Sequence, residues 1–348
     1  MTDPKSILIV RPSALGDVCR TVPVLVSLRR SFPEARIDWL VQDSFVDAVV
    51  GHPALTSAVP FERGKLGNDL RRARLGSTIG FLRHLRGRAY DLVVDAQGLF
   101  RSGALTLATG ARRRVGYANA QELGWLGYTE RHRIDRDGHA VDRMLALVER
   151  MGVPPIADMR LFAMPMWRKR AEDAIGSGRI AVLAPTSRWK GKRWPAERFA
   201  ALAEQILAEG FDQVAIVGAG SEREQCGALL GLASRDERVI DLIGKTSVGE
   251  LMAVIERASV VVANDSAAIH MAVGFDRPMV ALYGPTSIAR VGPYRRAQDV
   301  IQHAKPGERL DHKSDDTGRA MMERISVEEV VGRVRAALAP TTSLGSGG

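Results

Sequence analysis

Residues 260–286 limit the fold of this chain more than any other stretch. Val260–Ala263 is an apolar run ending at Asn264-Asp265-Ser266. Ala267–Val273 has helical spacing and stops at Gly274, Phe275–Pro278 turns the chain, and Met279–Tyr283 is a second apolar run closed by Gly284-Pro285-Thr286. Strand, polar turn, short helix and strand make one βαβ unit of a parallel sheet. Ser266 suits the helix N-cap and Gly274 the C-terminal stop. The N–H groups of Ser266, Ala267 and Ala268 then leave the carboxyl edge of the sheet, a position that favours a phosphate. His270 follows Ser266 by four residues and shares its helical face. A capped turn with a packed histidine accounts for any one of these residues alone. Their conjunction points to a ligand site.

With 348 residues the chain has room for two domains, each with its own core. No apolar run approaches the roughly 20 residues that span a bilayer. The polar start, Met1–Ser6, leads straight to a strand and has no secretory pattern. Cys19 and Cys226 lie far apart and form neither a metal pattern nor a disulfide framework, which suits a reducing cytoplasm. The formal charge of +9 implies an anionic partner. A phosphorylated substrate, an anionic membrane surface and nucleic acid all meet that description. Five tyrosines, nine phenylalanines and no aromatic–basic signature make nucleic acid the weakest of the three. Walker A, H-E-x-x-H, G-x-S-x-G and C-x-x-C motifs are all missing.

The strand–loop–helix order recurs along the chain. Ser6–Val10 reads as a buried strand, and Arg11–Asp17 as a loop containing Ser13 and Gly16. An amphipathic helix follows, with Pro23 inside it. Asp17 opens that helix, either as a first-turn acid or as a general base. Arg36–Val41 reads as a strand and Phe45–Val50 as a helix. From Arg63 to Arg88 the chain is strongly basic with few acids, which makes either a solvated helix face or a surface for an anion. Tyr90–Asp95 is a buried strand that puts Gln97 and Arg101 at the carboxyl edge. Val115–Tyr117 is a short strand, Asp135-Arg136-Asp137 a polar turn, and His139 opens a helix running to Met151. The prolines between Gly152 and Pro165 mark a domain boundary.

In the second half, Ile180–Ala184 is a strand, and the loop to Pro195 holds Thr186, Ser187, Arg188, Lys190, Lys192 and Arg193. Hydroxyls and cations after a sheet strand suit a diphosphate. Gln213–Val217 leads to Gly218-Ala219-Gly220-Ser221-Glu222-Arg223, where Arg223 replaces the third glycine of a dinucleotide fingerprint. Glu222 is placed for ribose hydroxyls, or is simply a first-turn acid. Ser247 and Glu250 form a capping box for Val248–Arg257. Ile325–Leu338 is a terminal amphipathic helix, and the Ser/Gly-rich end is a disordered tail.

Four segments together resemble glycosyltransferase family 9, the ADP-heptose:lipopolysaccharide heptosyltransferases. They are Ser13–Val18, Asp95–Leu99, the Thr186–Pro195 loop, and Asn264-Asp265-Ser266…His270 with Tyr283–Thr286. The resemblance runs from Ile7 to about Leu338. It implies an α/β fold of GT-B architecture: two Rossmann-like domains with parallel sheets facing a central cleft. These are an acceptor-binding domain over 1–160 and a donor-binding domain over 161–325. A terminal helix at 326–338 packs back on the first domain, with a tail at 339–348. It also implies inverting transfer of heptose from ADP-L-glycero-β-D-manno-heptose to the lipopolysaccharide inner core, on a Kdo or heptose acceptor, without an obligatory metal or other cofactor. By resemblance Asp17 is the general base and Lys192 the catalytic cation. Ser13, Gly16, Thr186, Ser187, Lys192, Glu222, Asp265, Ser266, Ala267 and His270 hold the donor. Gln97, Arg101 and His139 lie on the acceptor side. Ala267 departs from the glycine usual in the family. The expected partners are a nucleotide-sugar donor and an anionic glycolipid, with the basic first domain against the cytoplasmic face of the inner membrane. A family member using another sugar or acceptor, and a nucleotide-sugar epimerase of the same fold, are the alternatives.

Overall fold

β1 (Ser6–Val10) is buried along its whole length, as a strand covered by helices on both faces must be. It starts the first of two units, Met1–Met164 and Pro165–Gly348, seen in a computed structural model that describes residues 3–72, 74–305, 307–308, 310–311 and 315–339. The first unit continues with α1 (Leu15–Ser31), β2 (Arg36–Gln42), α2 (Asp47–Val50), β3 (Ser57–Phe61), α3 (Arg63–Arg71) and α4 (Leu75–Gly87). β4 (Leu92–Asp95), α5 (Phe100–Ala108), β5 (Arg113–Tyr117), β6 (Glu130–His132) and α6 (Ala140–Arg150) complete it. The second unit begins with α7 (Pro165–Ile175), β7 (Ile180–Ala184), α8 (Ala196–Ala208), β8 (Gln213–Ile216), α9 (Gly227–Ala233), β9 (Val239–Asp241) and α10 (Val248–Arg257). Then come β10 (Val260–Asn264), α11 (Ala267–Gly274), β11 (Met279–Leu282), α12 (Ile288–Val291), β12 (Val300–Ile301), α13 (Asp315–Glu323) and α14 (Val327–Leu338).

The two sheets repeat one topology. The first has the order β3-β2-β1-β4-β5-β6 and the second β12-β11-β10-β7-β8-β9, with every pairing parallel. Each chain half lays two strands outward from its first strand, then crosses back to place the fourth on the other side. That is the doubly wound Rossmann order, and ligands of such sheets bind beyond the carboxyl ends where the order reverses. In the first unit the reversal lies between β1 and β4, with Val10 opposite Asp95. In the second it lies between β7 and β10, with Ala184 opposite Ala263.

Each unit has its own core. Leu8, Val10, Leu40, Val93 and Leu85 anchor one, and Leu183, Phe199, Leu202, Val262 and Leu282 the other. Three strands were not legible in the sequence: β3, β6 and β12. All are at or beside sheet edges, where one side meets water and apolar alternation is weak. β3 even contains Pro60, which an edge strand tolerates.

The terminal helix, expected over 326–338, packs its apolar face within its own unit. Val330, Val331 and Val334 are buried in the second unit's core, and Arg335 pairs with Glu209 at 2.6 Å. The reason is the register of its valines, which matches the apolar side of α8 in the same unit. The expected tail lies outside the described residues apart from Ala339.

Candidate active site

The first-unit constellation forms at the turn between β1 and α1. Asp17 sits in the first turn of α1, where exposed N–H groups favour an anion. Its Oδ2 accepts from the Ala14 N–H at 3.2 Å and pairs with Arg11 at 3.0 Å, while Oδ1 is held by Arg20. Arg20 itself is buried, with 7% of its surface exposed, whereas the Asp17 side chain keeps 27%. Burial works to raise the Asp17 carboxyl, but the Arg11 and Arg20 guanidiniums outweigh it and hold the group well below the ordinary carboxylate range. Arg11 also donates to the Ala96 carbonyl at 2.6 Å, tying the β1 turn to the β4 turn across the reversal point. Ser13 and Gly16 lie half-buried in the same turn.

The β4 turn is built by Asp95, which is fully buried. Its Oδ1 accepts from the N–H groups of Gln97 (2.8 Å) and Gly98 (3.1 Å), and its Oδ2 accepts from the Tyr128 hydroxyl at 2.7 Å. Burial pushes the Asp95 carboxyl up, and these hydrogen bonds counter the rise in part. Gly116 lets Tyr128 approach, because a Cβ there would stand 2.3 Å from the ring. Tyr128→Phe should therefore cost roughly 1–3 kcal/mol of stability, the penalty for leaving a buried carboxylate oxygen without its donor. Urea unfolding of the pair measures this, and an unchanged free energy would show that the hydroxyl is dispensable. The turn presents Gln97, whose Oε1 is buried without a hydrogen-bond partner among the described residues. Arg101 is exposed on α5. His139 is the N-cap of α6, and its Nδ1 accepts from the Val141 N–H at 3.2 Å. Asp135-Arg136-Asp137 is an exposed turn in which Asp135 accepts from the Asp137 N–H at 3.0 Å.

In the second unit, the loop after β7 and the start of α11 close on each other. Lys192 Nζ meets Asp265 Oδ2 at 2.7 Å, with 13% and 10% of the two side chains exposed. Asn264, wholly buried, fastens the loops: its Oδ1 accepts from the Trp194 N–H at 3.1 Å and its amide donates to the Pro185 carbonyl at 2.5 Å. Thr186 and Ser187 line the loop, each 6% exposed. The Ser187 N–H donates to Gln225 at 3.2 Å, and Arg193 donates to the Ser187 carbonyl at 2.7 Å. Ser266 occupies the N-cap position of α11 in extended conformation, and its hydroxyl makes no cap hydrogen bond. Ala267 and Ser266 are half-buried at the helix start, whereas His270, one turn on, is 4% exposed and belongs to the helix's buried side. Glu222 follows β8 in a 3-10 segment, Gly220–Cys226, half-buried. Its neighbour Arg223 pairs with Asp241 at 2.8 Å. Gln302 donates to the carbonyls of Gly284 (2.6 Å) and Thr286 (2.9 Å), which fixes the turn after β11. Among the described residues no group of three or more His, Cys, Asp or Glu side chains is placed to hold a metal ion.

Both constellations thus sit at the reversal point of a doubly wound sheet, one offering a carboxylate between guanidiniums and the other a lysine beside a helix start. The family description "Glycosyltransferase family 9 (heptosyltransferase)" matches residues 79–318. The chain belongs to glycosyltransferase family 9. It is a glycosyltransferase, and its two sheets are those of the GT-B fold. It is 28% identical to lipopolysaccharide heptosyltransferase 1 of Pseudomonas aeruginosa, over 84% of this chain and 82% of that protein. It is also 28% identical to lipopolysaccharide heptosyltransferase 1 of Escherichia coli K12, over 92% and 99%. Among solved structures, that of the E. coli ADP-heptose lps heptosyltransferase II superposes with a TM-score of 0.76 at 23% identity, covering 96% of this chain and 98% of that one.

This family 9 chain contains supports that its motifs did not reveal. Arg11 and Arg20 bracket Asp17, and their spacing around it was the available signal. α13 had no signal beyond its composition. It braces the Lys190–Lys192 turn: Asp315 accepts from the Gly191 N–H at 3.3 Å, and a Cβ on Gly318 would stand 2.4 Å from the Gly191 carbonyl oxygen. Gly318→Ala should push that turn and Lys192 aside. A displacement of this size costs on the order of 10²-fold in kcat/KM. Steady-state kinetics test it, and undiminished turnover would mean that α13 does not set the position of Lys192.

Proposed function

We propose that this protein transfers heptose from ADP-L-glycero-β-D-manno-heptose, with inversion, to the Kdo or heptose of a lipopolysaccharide inner core. The meeting of Lys192, Asp265 and the α11 start at one sheet reversal supports this most strongly. The name of the E. coli structure it resembles, an ADP-heptose heptosyltransferase, and the names of its curated relatives support the donor and the acceptor class. Lys192 and the N–H groups at Ser266 and Ala267 meet the charge that develops on the departing diphosphate, so no metal is needed for that task. Thr186 and Ser187 hold the diphosphate, Glu222 the ribose hydroxyls, and Asp265 orients Lys192 until the donor arrives.

Asp17 takes the proton from the attacking acceptor hydroxyl. As found, its two oxygens are occupied by Arg11, Arg20 and the Ala14 N–H, which leaves it a weak base. An acid group on the acceptor competes for the two guanidiniums, and drawing them off returns proton affinity to Asp17. Base strength is then coupled to acceptor binding, and the donor is protected from water while the acceptor is absent. An epimerase of the same fold uses the donor alone and has no need of a carboxylate poised in this way.

The deciding experiment is calorimetry with ADP, UDP and GDP, followed by transfer assays from ADP-heptose with and without EDTA. ADP preference and EDTA-resistant transfer are expected. Preference for UDP or GDP would remove the heptose assignment, and loss of transfer in EDTA would remove the metal-free mechanism.

A further inference from the structure

Between Arg63 and Arg88 the chain carries eight arginines and lysines and one acid, Asp69. The structure shows that this segment is more than a solvated basic face. α3, α4 and α5 enclose a groove of about 920 Å³, a size typical of sites for small organic ligands at about 300–1,000 Å³. Its floor is apolar: Leu66, Phe81, Leu82, Phe100, Ala104 and Leu105. Arg63, Arg71 and Arg101 line the same groove. Phe100 is 57% exposed although it lines a cavity, and α4 additionally exposes Leu75 (51%) and Ile79 (43%), one turn apart. Scattered apolar residues on a surface are ordinary, but an apolar groove within a strongly cationic segment is not.

We propose that this groove receives an acyl chain of the anionic lipid that carries the acceptor, with its guanidiniums on the lipid's acidic head. The proposal rests on the glycolipid acceptor named above and extends it from the sugar to the lipid. Charge complementarity selects the occupant. Three arginines with no carboxylate in the groove lining reject a cationic partner and favour an acidic head group, and an apolar floor favours a hydrocarbon tail. A single-stranded nucleic acid would satisfy the cations but stacks its bases on aromatic platforms, and this floor is mostly aliphatic. The two requirements meet in an acidic amphiphile held in a bilayer.

Vesicle co-sedimentation of the full chain tests this. The probes are vesicles of phosphatidylethanolamine with phosphatidylglycerol, and vesicles of phosphatidylcholine alone. The protein should bind the first and ignore the second. Phe100→Asp should weaken binding about tenfold or more, as expected for removing one large apolar side chain from a lipid boundary. Thermal unfolding checks that the variant folds. Should it fail to fold, Ala104→Glu on the exposed side of α5 puts a charge into the same groove. Equal binding to both vesicles would overturn the proposal. So would binding that falls with salt yet ignores both substitutions, since that would be adhesion by charge without the groove. Binding of RNA in place of vesicles would overturn it as well. The two readings fail separately. Wild-type transfer to a deacylated acceptor without vesicle binding defeats the lipid groove and leaves the transferase. Vesicle binding that responds to Phe100→Asp without any sugar transfer defeats the transferase and leaves the groove.

Discussion

Asp17→Asn should lower kcat by roughly 10²–10⁴-fold, the usual contribution of a positioned general base. ADP affinity should change little, because Thr186, Ser187, Lys192 and Glu222, proposed to hold the diphosphate and the ribose, belong to the second unit. The asparagine keeps the size of the side chain and can still accept one hydrogen bond from the Ala14 N–H or one guanidinium. It cannot take a proton, so the loss is one of chemistry rather than of shape. The substitution also leaves Arg11 and Arg20 facing a neutral amide. The pH dependence follows from the direction of the shift. Asp17 is depressed in the folded state, so its ion pairs stabilise the protein fully above the unfolded carboxylate range near ~4. That contribution is lost only as the pH falls below this range toward the folded value. The wild-type protein should therefore lose stability in acid, and Asp17→Asn should lose that part of the dependence. Stopped-time transfer assays and acid unfolding curves report the two effects. Turnover within about tenfold of wild type would exclude Asp17 as the base.

Lys192→Ala should reduce kcat/KM by about 10²–10³-fold, the range seen when one preorganised donor to developing charge is removed. The lysine is nearly buried, its ammonium is fixed at 2.7 Å from Asp265, and the loop behind it is tied by Asn264 and braced by α13. It is therefore held in place before the donor binds, and little reorganisation accompanies the reaction. The variant also leaves Asp265 without its cation, at the place proposed for the diphosphate. Repulsion between that carboxylate and the ligand should weaken ADP binding as well. Asp265→Asn in the Lys192→Ala background should recover part of the ADP affinity, measured by calorimetry. If Lys192→Ala binds ADP as tightly as wild type and turns over normally, the cation has no part in holding or stabilising the diphosphate.

Much of the scaffold could be read directly. β1, β7 and α10 fall where the apolar runs and the Ser247–Glu250 box put them, because buried strands and capped helices are governed by local patterns. The edge strands and α13 escaped because their partners, not their own residues, make them regular. The same division holds within the site. Asp17, Lys192 and Asp265 stood out because ionisable residues in short turns after apolar strands have few structural uses. That His139 caps α6 through the Val141 N–H came only from the structure.

The sequence alone determined the two α/β halves and the family of the chain, since these follow from short-range spacing. Tertiary structure decided which turns become neighbours. Thr186 and Asp265 are far apart in the chain, yet the crossover that places β10 beside β7 brings their turns together. It also decided the ionisation of Asp17, the bracing of Lys192 by α13 and the packing of α14 on its own unit. Each of these depends on groups distant in sequence or on the summed field of several charges, and such sums exist only once the sheet has set the distances.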